Sequence, residues 1–215
     1  MSAALIELHM LPSLEYFCAI FPFEKIVLEK YEHFNKQSYR NRCYILSAHG
    51  IERVTIPVTT KYSKTIITDV KIDSTIRWQA KMWRTLESAY ANSPFYEHYA
   101  DDLRKELFCR HTFLYEMNFS LLSMCLQWLK WDKTISESVA YEKNPSNEID
   151  DLRSLISAKK DFRKREFYQP QPYQQVFGSN FAANLSVIDL VFSEGPHAPA
   201  LLKASRKKSE QIKLK

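Results

Sequence analysis

The first thirty residues alternate short apolar runs with residues that end them. Residues 4–10 form an apolar stretch that predicts a strand, closed by Leu11-Pro12. Ser13 can then cap a helix that runs to Phe21 and stops at Pro22. Residues 25–29 enclose Ile26-Val27-Leu28, suited to a second, buried strand. Strand, helix, strand in that order predicts a parallel pair in an α/β domain. Residues 43–47 and 52–58 are rich in branched and aromatic side chains, and Ala48-His49-Gly50-Ile51 between them predicts a hairpin turn. Residues 66–72 are a further strand candidate.

From Ser74 the apolar period lengthens from two toward 3.6. Ile76, Ala80, Trp83 and Tyr90 share one face of a helix, while Arg77, Lys81, Arg84 and Ser88 share another, a basic stripe. A second helix is expected from Ser93-Pro94 to about Phe108. A third covers residues 113–131, with Leu114, Met117, Leu121, Cys125 and Trp128 facing the core. Residues 143–182 turn polar and Pro-rich, with Gln169-Pro170-Gln171-Pro172-Tyr173-Gln174-Gln175, and predict a long loop or lid around one short basic helix at 149–166. A terminal helix follows from Ser186, with Asp189 three residues on, to the stop signals Gly195 and Pro196. The pattern as a whole predicts an α/β fold: a small mixed sheet with a β-hairpin, an N-terminal strand-helix-strand unit, and a helical second half. Residues 1–142 are the expected core, 143–202 a loop-rich extension packed on it, and 203–215 a basic, solvated and poorly ordered tail.

Composition removes several function classes. Only Gly50, Gly178 and Gly195 are present, so neither a GxGxxG turn nor a Walker phosphate loop can be assembled. The net charge of +5 does not by itself point to nucleic acid. Lys203, Arg206, Lys207, Lys208, Lys213 and Lys215 against Glu210 account for all of it, and nucleic acid is not an expected partner. A second basic cluster, Lys159-Lys160 with Arg163-Lys164-Arg165, reads as the wet face of a helix. Glu7 and His9 interrupt the apolar start, and no run of roughly eighteen apolar residues exists. Cys18, Cys43, Cys109 and Cys125 lie far apart, which fits neither a zinc ribbon nor a dense disulfide scaffold. The expectation is a cytoplasmic protein with free thiols, no membrane span and no bound metal, and no cofactor is indicated.

No GxSxG, HExxH or HxH motif occurs, and His98 and His111 stand isolated. Asp101-Asp102 and Asp150-Asp151 fall near expected helix starts, where carboxylates face the helix dipole favourably. Residues 31–43 stand out instead: Glu32, His33, Lys36, Gln37, Arg40, Asn41 and Arg42 are packed among aromatics without Gly, Pro or Asp. Arg40 and Arg42 can each grip a carboxylate or phosphate through two parallel N–H bonds. Asn41 and Gln37 can orient a substrate, and His33 can accept a proton from an attacking amine or hydroxyl.

Leu11-Pro12 with Tyr16-Phe17, then Lys36-Gln37-Ser38-Tyr39-Arg40-Asn41-Arg42, Thr55-Ile56-Pro57-Val58, Trp78 with Lys81 and Trp83, and finally Tyr90 with Ser93-Pro94-Phe95, form an ordered set. This set resembles the WbqC-like family of bacterial proteins over about residues 5–130, with a looser likeness at Asn184-Leu185-Ser186 and Glu194-Gly195-Pro196. Departures are Glu7-Leu8 where Gln-Pro is common, Glu15 where Gly is frequent, and Met82 where His is frequent. The resemblance implies a role in surface polysaccharide synthesis, O-antigen included, as an acyl- or aminoacyl-transferase, with transfer of glycine to an amino sugar as one form. The expected partner is a nucleotide sugar or another anionic small molecule. In that reading Arg40, Arg42, Lys36 and the Arg77/Lys81/Arg84 stripe hold the anion, His33 is the base, and Asn41 and Gln37 orient the acceptor. Tyr16, Trp78 and Trp83 stack on a sugar or base. The alternative is a noncatalytic nucleotide-sugar-binding or scaffold protein of the same pathway.

Overall fold

Ala3–Glu7 forms β1, whose five residues are all buried, as a strand covered on both faces requires. The computed structural model describes residues 2–60 and 64–207. Chain reversal through α1 (Leu14–Ile20), buried at every position, returns the backbone as β2 (Lys25–Glu29), parallel to β1 with Ala3 opposite Lys25. Two short strands complete the sheet. β5 (Thr134–Glu137) lies parallel to β2, and β6 (Ile149–Asp151) lies parallel to β1, giving the order β5-β2-β1-β6.

Between β2 and β5 the chain makes a separate two-stranded hairpin, β3 (Arg42–Ser47) and β4 (Gly50–Thr55), with Ser47 opposite Gly50. Three helices follow: α2 (Trp78–Tyr90), α3 (Tyr96–Phe108) and α4 (Leu114–Trp128). α4 is buried at ten of its fifteen positions, so it is the central post of the helical half. α5 (Val187–Glu194) and α6 (Ala198–Ala204) close the core, packing against α3, α4 and α1. Among the described residues no helix is long and apolar enough to cross a membrane.

Several local expectations are corrected. Residues 66–72 do not form a strand. They hold one tight turn, Ile67–Asp69, and their backbone bonds go to three different segments: Ile67 N–H donates to Glu32, Ile72 N–H donates to Thr112, and the Lys71 carbonyl accepts from Thr59 N–H. The apolar residues there are buried, as at Ile67 and Val70, but without a neighbouring strand. The basic helix at 149–166 is also absent. β6 occupies its start and a single turn, Phe162–Lys164, lies near its end, because Arg153 and Arg165 are drawn inward to buried carboxylates. Ser13 and Ser186 do sit at helix N-caps, but neither hydroxyl bonds its own helix. Asn184 Oδ1 accepts from Glu15 N–H instead, and the Ser186 hydroxyl donates to the Leu11 carbonyl. Of the basic terminal stretch, Lys203 lies in α6 and residues 208–215 lie outside the described residues.

Gly195 joins α5 to α6 at φ +50°, and a Cβ there would sit 2.5 Å from the Phe95 ring. Gly195→Ala should therefore cost on the order of 2 kcal/mol or more, read as a lower urea midpoint. An unchanged midpoint would mean that the Phe95 contact does not fix this corner.

Candidate functional site

The carboxyl ends of β1 and β2 carry acids into the interior. Glu7 ends β1 and Glu29 ends β2, and both are fully buried. The chain connection that follows β2 brings Glu32 and Arg40 beside Glu7. The Arg40 guanidinium takes Glu32 with two hydrogen bonds, at 3.0 and 2.6 Å, and lies 3.1 Å from Glu7. Glu29 is met by Arg153 at 2.8 Å, and Arg153 also grips Asp151 through Nε and one terminal nitrogen. Four carboxylates thus share two guanidinium groups.

Burial works against the charge of every member, and the neighbours decide the outcome. It would raise the Glu7 carboxyl, but the adjacent His9 and the Arg40 charge prevail and bring it down to about 2. Two bonds from the Ser154 backbone N–H to the same carboxylate complete its shell. Glu32 goes the other way, raised by burial in spite of Arg40. His9 stands between the rings of Tyr16 and Tyr39, at 4.9 and 5.2 Å, with its Nε2 3.7 Å from Glu7 and neither nitrogen hydrogen-bonded. Burial lowers its pKa against the opposing pull of Glu7. The Arg40 part of this charge centre, with Glu7 and Glu32, is largely buried and ties β1 to the segment after β2.

Most of the residues singled out in the sequence divide among three places, and Asn41, Arg42 and Trp83 lie outside them. Tyr16 and Arg40 belong to the charge centre, where Tyr16 donates to the Glu7 carbonyl and the Arg40 charge is already engaged by two carboxylates. Lys36, Gln37 and His33 line one open depression of about 420 Å³ together with Lys159. Trp78 and Lys81 line a cleft on α2. Asn41 donates to the Ile56 carbonyl, leaving its Oδ1 buried without a partner, as is Arg42 Nε. Trp83 faces away from Trp78, against Tyr96 and under the Arg104 guanidinium.

Trp78, 6% exposed, is among the lining residues of two cavities. One, of about 380 Å³, lies between β4 and α2 and carries Arg53, Arg77 and Lys81 against Glu52. The other, of about 550 Å³, carries Lys71, Arg110 and His111 with no carboxylate. The Trp78 Nε1 and the His111 Nε2 are both shielded from water without a hydrogen-bond partner. An aromatic wall flanked by cations suits a ligand that joins an anion to a ring. Arg53, Lys71 and Arg110 escaped the sequence reading, and His111 was read as isolated, because these residues come from three separate segments. The one usable signal was the basic stripe of α2, which needs a partner surface. Arg84, the last residue of that stripe, turns back to the Ala80 carbonyl and lines neither cavity. Among the described residues no group of three or more His, Cys, Asp or Glu side chains is arranged to hold a metal ion.

A profile described as the WbqC-like protein family matches residues 9–171. The chain is also 25% identical over 232 residues to the uncharacterized protein Rv1507c of Mycobacterium tuberculosis (strain ATCC 25618 / H37Rv), covering 94% of this chain and 98% of that protein. No solved structure matches.

The Glu7 carboxyl makes an acid-side prediction. Its folded pKa, about 2, lies below its ordinary 4.5, so it adds stability above pH 4.5 that is lost as the pH falls toward 2. The gap corresponds to about 3 kcal/mol. In urea titrations across that window, Glu7→Gln should flatten the decline by about this amount. Parallel pH profiles for the two proteins would contradict the assignment.

Proposed function

Because this chain belongs to the WbqC-like protein family, we propose that it is a group-transfer enzyme of bacterial surface-polysaccharide synthesis. It takes an amino sugar carried on a nucleotide and adds an acyl or aminoacyl group, glycine being one candidate. The observation that carries the reading is the Trp78 wall. Arg53, Arg77 and Lys81 in one cavity and Lys71 and Arg110 in the other would neutralise a diphosphate, and the indole face would stack on the base or sugar.

Two histidines are available as the base that frees the acceptor amine. His33 sits beside Lys36 and Gln37, whose amide can orient an acceptor. His111 shares its cavity with the Trp78 wall and has an unpartnered, shielded Nε2. A base needs hydrogen-bond reach of the proton it removes, which favours the histidine nearest the bound acceptor. A second reading, a noncatalytic nucleotide-sugar-binding protein, gains support from two of the buried thiols. Burial pushes Cys18 and Cys43 up to about 12, so neither is suited to act as a nucleophile at neutral pH.

Incubation with glycine, ATP and a nucleotide-linked amino sugar should give a sugar heavier by one glycyl group in mass spectrometry. Binding without any mass increase, across glycine and other acyl donors, would favour the second reading. Calorimetry with the nucleotide sugar tests the site itself. Arg77→Ala and Lys81→Ala should each weaken binding by more than about tenfold, the loss of one charge-assisted contact, while Arg84→Ala should leave it unchanged. Equal effects of all three substitutions would move the site elsewhere.

A further inference from the structure

A cavity of about 290 Å³ lies between α1 and β6, and it shares no lining residue with the Trp78 cleft. Cys18, Ala19 and Phe23 make one wall, and Leu152, Leu155 and Phe167 make the other. Leu155 remains 39% exposed there, an apolar side chain left open to water at the mouth of an apolar space. The apolar walls give a water few polar partners, with the charged residues gathered at the rim, and such walls favour an apolar guest.

The charges at the rim are unequal in what they still offer. The Arg165 guanidinium is committed to Glu15 and the Asp151 carboxylate to Arg153. Lys207 donates to the Arg165 carbonyl. Arg206 is different. Its guanidinium lies 4.6 Å from the centre of the Phe21 ring, and it makes no ion pair with a described carboxylate. A backbone bridge between Arg206 and Tyr168 fixes its position beside the cavity. Asp150 and Glu166 also lie on the lining, so the rim offers an anion one favourable seat, at Arg206.

We propose that this cavity binds a medium-chain fatty carboxylate, its chain between α1 and β6 and its head group on the Arg206 guanidinium. At ~30 Å³ for a water-sized group in a liquid, the space takes on the order of ten such groups, which matches a chain of about ten carbons. Apolar walls supply affinity through burial, while the Arg206 guanidinium, stacked on Phe21 and without a carboxylate partner among the described residues, seats an anionic head. The site is a second one, and it stands whether or not the Trp78 cleft accepts a nucleotide sugar.

Decanoate, decanol and decylamine, titrated separately into the full chain by calorimetry, test it. Decanoate should bind most tightly and decylamine at least about tenfold more weakly, because its ammonium would face Arg206. Arg206→Gln should lower decanoate affinity by more than about tenfold and leave decanol affinity unchanged, so decanol also reports that the cavity is intact. Leu155→Asp, at a partly exposed position, should weaken both. The proposal is overturned by absence of decanoate binding at about 1 mM, by decylamine binding as well as decanoate, or by Arg206→Gln leaving decanoate affinity unchanged.

Discussion

Everything downstream of the first two strands depends on one buried guanidinium. Arg40 joins the end of β1, through Glu7, to the segment after β2, through Glu32, and its backbone carbonyl accepts from Asn118 on α4 at 2.6 Å. Removing either kind of charge would leave the other unpaired in the interior, which typically costs about 3–5 kcal/mol, whereas the intact pair need add little net stability. Its value is therefore positional. It fixes the point from which the β3–β4 hairpin departs, and Asn41, the next residue, ties that hairpin to Ile56. The hairpin in turn supplies Arg53 and one wall of the Trp78 cleft.

The same device recurs in the polar segment that follows β5. Residues 143–182 have few apolar side chains with which to form a core of their own, yet Arg153 reaches Glu29, and Arg165 reaches Glu15 with two hydrogen bonds. The Gln-Pro tract is anchored at Asp189 on α5, which accepts from Tyr90, Tyr173 and Gln175. Glu7 is the partner of Arg40, and Glu15 is the partner of Arg165. An acid at the end of β1 and another in the first turn of α1 require guanidinium groups to come to them, and the chain supplies both.

What was legible in the sequence follows from the length of each signal. The strand-helix-strand start, the hairpin and α2 to α4 show in the apolar period because each spans enough residues to display one. β5 and β6, of four and three residues, are too short to have a period, and they become strands only because β2 and β1 offer free edges. Charge misled in both directions. Arg40 drew attention as a ligand-binding group and is an internal one, while Arg165 read as part of a solvated face and is structural. Trp78 and Lys81 could be found because both sit on α2, one turn apart. His111 and Lys71 could not, since only the packing of the turn at Ile67–Asp69 against α4 brings their segments together.

Net charge conceals the arrangement that matters for binding. Outside the terminal basic stretch the chain carries equal numbers of acids and bases, so its average field gives an anion no reason to approach. The fold separates those charges. Glu7, Glu29, Glu32 and Asp151 are gathered at the ends of the parallel strands with only two guanidinium groups, which leaves lysines and arginines elsewhere without local acids. Five of them line the Trp78 cavities against a single Glu52. A low-dielectric wall such as the indole sharpens the field of nearby cations, and attraction over a Debye length of about 8 Å is set by that local surplus. Charge balance outside the terminal stretch and a local surplus of cations at one face are thus two results of the same gathering of carboxylates.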